Sequence, residues 1–482
     1  MKTRNLLYIL PLAALTACEP DIDEMEVSRG SADFSKMVAV GNSLTAGFQS
    51  NALSAEGQEN SLPNIIAKQL NQAGSGVFTQ PIIPGDAGAK GVGLNAALPP
   101  GTVVPELVLR LAADCQGTVG PAPQLASNPY SGAEFFANVG ANGPYNNVGV
   151  PGARLIHLNV AGYGSPQGNP YFARFASNPL ETMLQAAMRN NPTFFQLWIG
   201  NNDVLGYSTS GGDDGGDAIT AVPTFAALYA AALDTLTKNG AKGVVANIPN
   251  VTSIPYFTTV PIGTDAVDAA SAALLNGTDT SGYGAYNAGL RQAFGAGFID
   301  TVELVRRTIN FRGGQINTFV VIDPTLTDLT GLNPRLVPMR HAVPGELMTL
   351  TLPGDSLRCA QWGTRTPIPG RFHLTTAEIQ KINDATSSFN NIIKSEATSR
   401  GLAFVDANAR LQELSTTGIV TDGISFSSAL VTGGAFSLDG VHPSTRGYAI
   451  IANDFISAIN ATYGASIPKV SVGSYPTIEL EQ

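Results

Sequence analysis

"MVAVGNSL" occupies residues 37–44, and its reading decides the fold. It is an apolar run ending in a Gly-Asn turn, the pattern of a buried strand followed by a change of direction. Four later stretches have the same form: "NNVGVPGARL" (146–155), "TFFQLWIGNND" (193–203), "AKGVVANIPNV" (241–251) and "LAFVDANAR" (402–410). Helical spacing falls between and after them, at 61–74, 221–240, 375–401 and 444–462. Wholly apolar strands alternating with helices predict a parallel sheet covered on both faces. The expected fold is therefore α/β, a three-layer α/β/α sandwich with about five parallel strands.

Two long stretches interrupt this pattern. Residues 75–140 are rich in Gly, Pro and Ala with little periodicity, and residues 252–372 mix short strands with Pro- and Gly-rich loops. Both read as insertions into one domain spanning 36–465, with 466–482 as a C-terminal tail. The 52 glycines and 31 prolines fit such long connections. A 44% hydrophobic, 13% charged composition indicates a core-forming protein. The net charge of −10 argues against a nucleic-acid partner, because phosphate binding needs clustered Lys and Arg. There is no internal repeat at a fixed period.

The first residues read as a targeting segment. "MKTR" is a basic start and "NLLYILPLAALTA" an apolar run too short to span a bilayer permanently. "LTAC", Leu15 to Cys18, resembles the lipobox of bacterial lipoproteins. That resemblance implies removal of 1–17, lipid on Cys18 and a membrane anchor in the cell envelope. The acidic "EPDIDEMEVS" after it reads as part of a solvated tether over 18–35. It also resembles the surface-export signal of Bacteroidetes lipoproteins, which points to the outer membrane. Two cysteines then remain, Cys115 and Cys359. In an oxidising compartment they are expected as a disulfide, against the alternative of two buried thiols.

Ser43 sits on a strand-to-helix turn. Far downstream, "DGVHPS" (439–444) places Asp439 three residues before His442, just ahead of Pro443 and a helix. Pro443 is expected in the first helical turn, holding the imidazole at a helix entrance. At that spacing a carboxylate can fold back onto one ring nitrogen, leaving the other to take a proton from serine. In combination these words resemble the SGNH hydrolases, also called GDSL-type esterases and lipases. "GNSLTAG" resembles the first family block, with Ser43 as nucleophile. "NVGVPGA" resembles the second, with the Gly152 amide in the oxyanion hole. "IGNND" resembles the third, with Asn202 as a side-chain oxyanion donor, and "DGVHPS" the fifth, with Asp439 and His442 completing the triad. The blocks occur in the family's order. The resemblance implies serine-dependent hydrolysis of a lipid or glycan ester or other small ester, with no cofactor or metal. It covers roughly 200 to 250 residues and leaves both insertions outside. Asn42 departs from it, since the family word usually has Asp there.

Other readings are weaker. "GDSL" at 354–357 has the family's spelling, but Ser356 follows the Gly and Asn blocks instead of preceding them. His157, His341 and His373 are isolated, with no second ligand at metal spacing. "SGGDDGGDA" (210–218) reads as a mobile loop before a calcium site. "GAKGVG" (88–93) has no strand before it and is not a phosphate loop. The alternative function is a non-catalytic surface lipoprotein that binds glycan or protein on the same scaffold.

Overall fold

The computed structural model describes residues 26–85, 102–165, 167–213, 217–279 and 282–481. The signal and lipobox readings, including Cys18, and "GAKGVG" lie outside these residues, as does part of "SGGDDGGDA".

Five strands form one parallel sheet: β1 (Met37–Gly41), β2 (Asn147–Gly149), β3 (Phe194–Trp198), β4 (Lys242–Ala246) and β5 (Ala403–Val405). Their order is β5-β4-β3-β1-β2. Ala39 aligns with Asn147 on one side of β1, and Met37 with Phe194 on the other. Every residue of β1 and β3 is buried, which is why their sequences are apolar apart from Gln196 in β3. The chain leaves β2 and returns on the far side of β1. The carboxyl end of β1 is thus a switch point, where open α/β sheets place their ligands.

Helices that frame the sheet include α1 (Ser43–Ala46), α2 (Leu62–Asn71), α3 (Met183–Met188), α4 (Asn202–Thr209), α5 (Val222–Thr237), α6 (Thr376–Ser399) and α7 (Thr445–Tyr463). α2 packs on α7, and α5 packs on α3 and α6. α7 lays Phe455 and Tyr463 against Trp198 and Phe194 of β3, while Phe225 of α5 stacks on Phe389 of α6 with ring centroids 3.9 Å apart. The threonine start of α6 is a capping box: Thr375 accepts from the Glu378 amide, and the Glu378 carboxylate accepts from Thr375. The α/β sandwich with five parallel strands is as expected.

Several boundaries differ. Strand character at 402–410 stops at Val405, because Asp406 caps a helix over Ala407–Thr416 through the Ala409 amide. Residues 26–35 do not hang free: Ala32 and Phe34 are buried, Phe34 packs edge-on against Phe194, and the Ser31 amide donates to Tyr463 O. The tail 466–482 also belongs to the fold, with Ile467 and Val472 buried and Leu480–Glu481 pairing beside Leu109–Arg110. These contacts join residues hundreds of positions apart, so local pattern could not reveal them.

The insertions are structured. Within 75–140, Leu107–Ala113 and Val119–Leu125 form an antiparallel hairpin. Within 252–372, three helices (Ala269–Leu275, Gly284–Gly295, Thr301–Arg307) share a small core around Leu290, Ile309 and Phe311. A buried ionic chain runs from Asp323 to Arg340 (2.6 Å), Glu346 (2.5 Å) and His373 (3.0 Å). Burial alone would raise the Glu346 carboxyl, but His373 and Arg340 hold it at about 2. Cys115 and Cys359 form a disulfide with Cα atoms 6.4 Å apart, tying the hairpin to the second insertion.

Candidate active site

The site is built on the three turns that leave β1, β2 and β3, and on the loop that enters α7. Asn42 caps α1: its Oδ1 accepts from the Leu44 amide at 3.0 Å. Its Nδ2 donates to Asn201 Oδ1 at 3.3 Å, tying the β1 turn to the β3 turn. Asn42 is 1% exposed, so this amide pair is dry. Ser43 follows as the first helical residue. The helix closes after one turn at Gly47, whose φ of +86° and proximity to Gly57 O both require glycine.

Ser43 Oγ lies 2.9 Å from His442 Nε2, and His442 Nδ1 lies 2.8 Å from Asp439 Oδ2. An ionised Asp439 can only accept, so Nδ1 carries the proton and Nε2 turns its lone pair to the Ser43 hydroxyl. Asp439 organises the whole loop. Oδ1 accepts from the amides of Val441 and His442, both at 2.9 Å, and from Ser437 Oγ at 3.1 Å. Oδ2 also accepts from the Asn51 amide at 2.8 Å. Burial would raise this carboxyl, but the imidazole of His442 and the hydrogen bonds from His442 and Val441 outweigh it and hold it at about 2.

Phe48 packs on the imidazole, ring centroids 4.8 Å apart, and Tyr448 of α7 donates to Phe48 O at 2.7 Å. The carbonyl of Gly440, at φ +69°, accepts from the Tyr256 amide at 2.9 Å, so the second insertion abuts the loop that carries His442. Pro443 is not in the first helical turn. Ser444 is the cap, accepting from the Gly447 amide, and Pro443 precedes it, bridged to Phe436. The imidazole is fixed by the turn hydrogen bonds of Asp439 rather than by a helical proline.

Gly152 follows β2 with φ +80°, and a Cβ there would meet only Asn169 Nδ2, at 3.9 Å. Backbone conformation, not crowding, requires glycine at this position. Asn202 opens α4 and donates through Nδ2 to Ala153 O at 2.9 Å, which joins the turns after β2 and β3. Asp203 braces the same junction by accepting from the Leu155 amide (2.9 Å) and from Thr220 Oγ1 (2.7 Å). Ser43, Gly152 and Asn202 thus stand on adjacent turns at one end of the sheet.

Asn51, Ser437, Phe48 and Tyr448 are not marked out by the sequence, because their partners lie across the fold; Asp203 lies inside the "IGNND" word, where only Asn202 was given a role. Ser356 lies within a short helix, Gly354–Arg358. Its neighbours tie to the first insertion: Arg358 to Asp114 at 2.6 Å and the Cys115 amide to Asp355. His157 stacks on Tyr163, His341 Nδ1 meets Thr318 O, and His373 meets Glu346. Among the described residues no group of three or more His, Cys, Asp or Glu could hold a metal, and no helix is long and apolar enough to cross a membrane. No protein-family model and no curated protein matches this chain.

Proposed function

We propose that this protein is a serine ester hydrolase of the SGNH type. The observation that carries the reading is the continuous chain from Asp439 through His442 to Ser43, both contacts under 3 Å, at the switch point of the sheet. His442 takes the Ser43 proton as Oγ attacks the ester carbonyl. The Ser43 and Gly152 amides and the Asn202 side chain face the resulting oxyanion, each donor contributing roughly 3 kcal/mol. His442 then protonates the leaving alcohol, and water, deprotonated by His442, releases the acyl group. The Leu15–Cys18 lipobox supports anchoring through lipid on Cys18 in the bacterial envelope, where the ester substrate would be met. The test is hydrolysis of p-nitrophenyl esters from acetate to palmitate by the wild type and Ser43→Ala. Turnover by wild type and its loss in the variant support the reading; equal turnover by both ends it.

A further inference from the structure

Against the catalytic loop lies a cavity of about 90 Å³. A single water needs only about 10–15 Å³, so this space suits a segment of hydrocarbon chain rather than one solvent molecule. Leu44, Val441 and Pro443 line it, but Ser43 and His442 do not. The cavity therefore touches the residues flanking both reacting side chains while the reacting atoms meet elsewhere. Most of its remaining walls are apolar, among them Trp198 from β3, Leu411 from the helix over 407–416, and Ile450 from α7.

The polar groups of the lining are Arg410 and Asp454, whose side chains are 34% and 17% exposed and paired with each other. Beyond them, an open depression shares Val405, Arg410 and Asp454 and adds Asp406, Glu413 and Lys469. Three carboxylates there face two cations, and Arg410 is already held by Asp454 and by Glu413 at 2.7 Å. That balance disfavours an anionic head group. It suits hydroxyls that donate to carboxylates.

We propose that this cavity binds the single alkyl chain of an uncharged, hydroxyl-bearing amphiphile, with the head at the Arg410–Asp454 mouth. Filling it supports the face of the loop that carries Val441 and Pro443, and so stiffens the segment holding His442. The site stands whether or not Ser43 is a nucleophile; its effect on turnover rests on the function proposed above.

Trp198 reports on the cavity directly. The chain has two tryptophans, so Trp362→Phe leaves Trp198 as the sole emitter. With 8-bromo-1-octanol as probe, we expect saturable quenching of Trp198, and 8-bromooctanoate should need at least a tenfold higher concentration. Adding Ile451→Phe, at a half-buried lining position, should weaken quenching by the alcohol at least fivefold. In the wild type, the unbrominated 1-octanol should slow amide exchange over 437–442 at least threefold. Absence of saturable quenching, equal quenching by the carboxylate, or unchanged exchange at saturation overturns the proposal. Fluorophosphonate labelling of Ser43 reads the hydrolase mechanism separately, so the two ideas fail independently.

Discussion

Asp439→Asn isolates the role of one carboxylate. Oδ1 holds the loop through three donors, and Oδ2 faces two more, His442 Nδ1 and the Asn51 amide. An asparagine that keeps its oxygen at the Oδ1 position preserves the loop contacts. Its NH2 then confronts the Asn51 N–H and demands a lone pair from Nδ1. The imidazole must place its proton on Nε2, where it can no longer accept from Ser43. Loss of the correct tautomer costs a factor of about 10⁴ in kcat in serine-hydrolase triads. Stability falls as well. A carboxyl held at about 2 instead of 3.8 stabilises the fold above pH 4 by about 2 kcal/mol, a contribution lost as pH falls toward 2. The unpaired Asn51 amide adds about 1–3 kcal/mol to that loss, giving about 3–5 kcal/mol at pH 7. The assay is kcat on p-nitrophenyl acetate together with urea unfolding at pH 7 and pH 3. We expect the stability gap between wild type and variant to narrow at pH 3. A variant retaining more than a tenth of wild-type kcat, or a gap independent of pH, would refute this reasoning.

Asn202→Ala should lower kcat by a factor of about 10²–10³ while folding remains, checked by steady-state kinetics and circular dichroism. Asn42→Asp should be tolerated only if the Asn201 amide turns over to donate to the new carboxylate; a crystal structure of the variant should show that rotation, with kcat within about tenfold of wild type. Phe34→Ala should cost about 3–5 kcal/mol in urea unfolding, because the ring is 1% exposed against Phe194. An unchanged midpoint would mean that residues 26–35 are a tether after all.

The central sheet was legible because β1, β3 and β4 are buried on both faces and so appear as largely apolar words, broken only by Gln196 in β3 and Lys242 at the start of β4. The Asp439–His442–Ser43 grouping was legible because Asp439 and His442 are local to each other and Ser43 follows the turn after the first strand. What escaped has a physical reason in each case. The Asn51 amide reaches Asp439 across 388 positions, and no spacing rule encodes that contact. Pro443 was placed in the helix because proline favours the first turn, yet Ser444 won the cap by accepting from the Gly447 amide. Ser356 carries the expected letters, but lies in a short helix of the second insertion, three residues from the disulfide-bonded Cys359. Asn42, the one departure in the serine motif, is accounted for by its donated bond to Asn201, which an aspartate could not make without a rearrangement. The helices of the second insertion were hidden by Gly- and Pro-rich sequence, although they close around a core of their own.

The most direct test is the site of covalent modification by a fluorophosphonate. The reagent should phosphonylate Ser43 Oγ with loss of fluoride, found by peptide mass spectrometry, and Ser43→Ala should abolish labelling while Ser356→Ala labels like wild type. Labelling that persists in Ser43→Ala and disappears in Ser356→Ala, or a folded wild-type protein that takes up no label, would contradict the account.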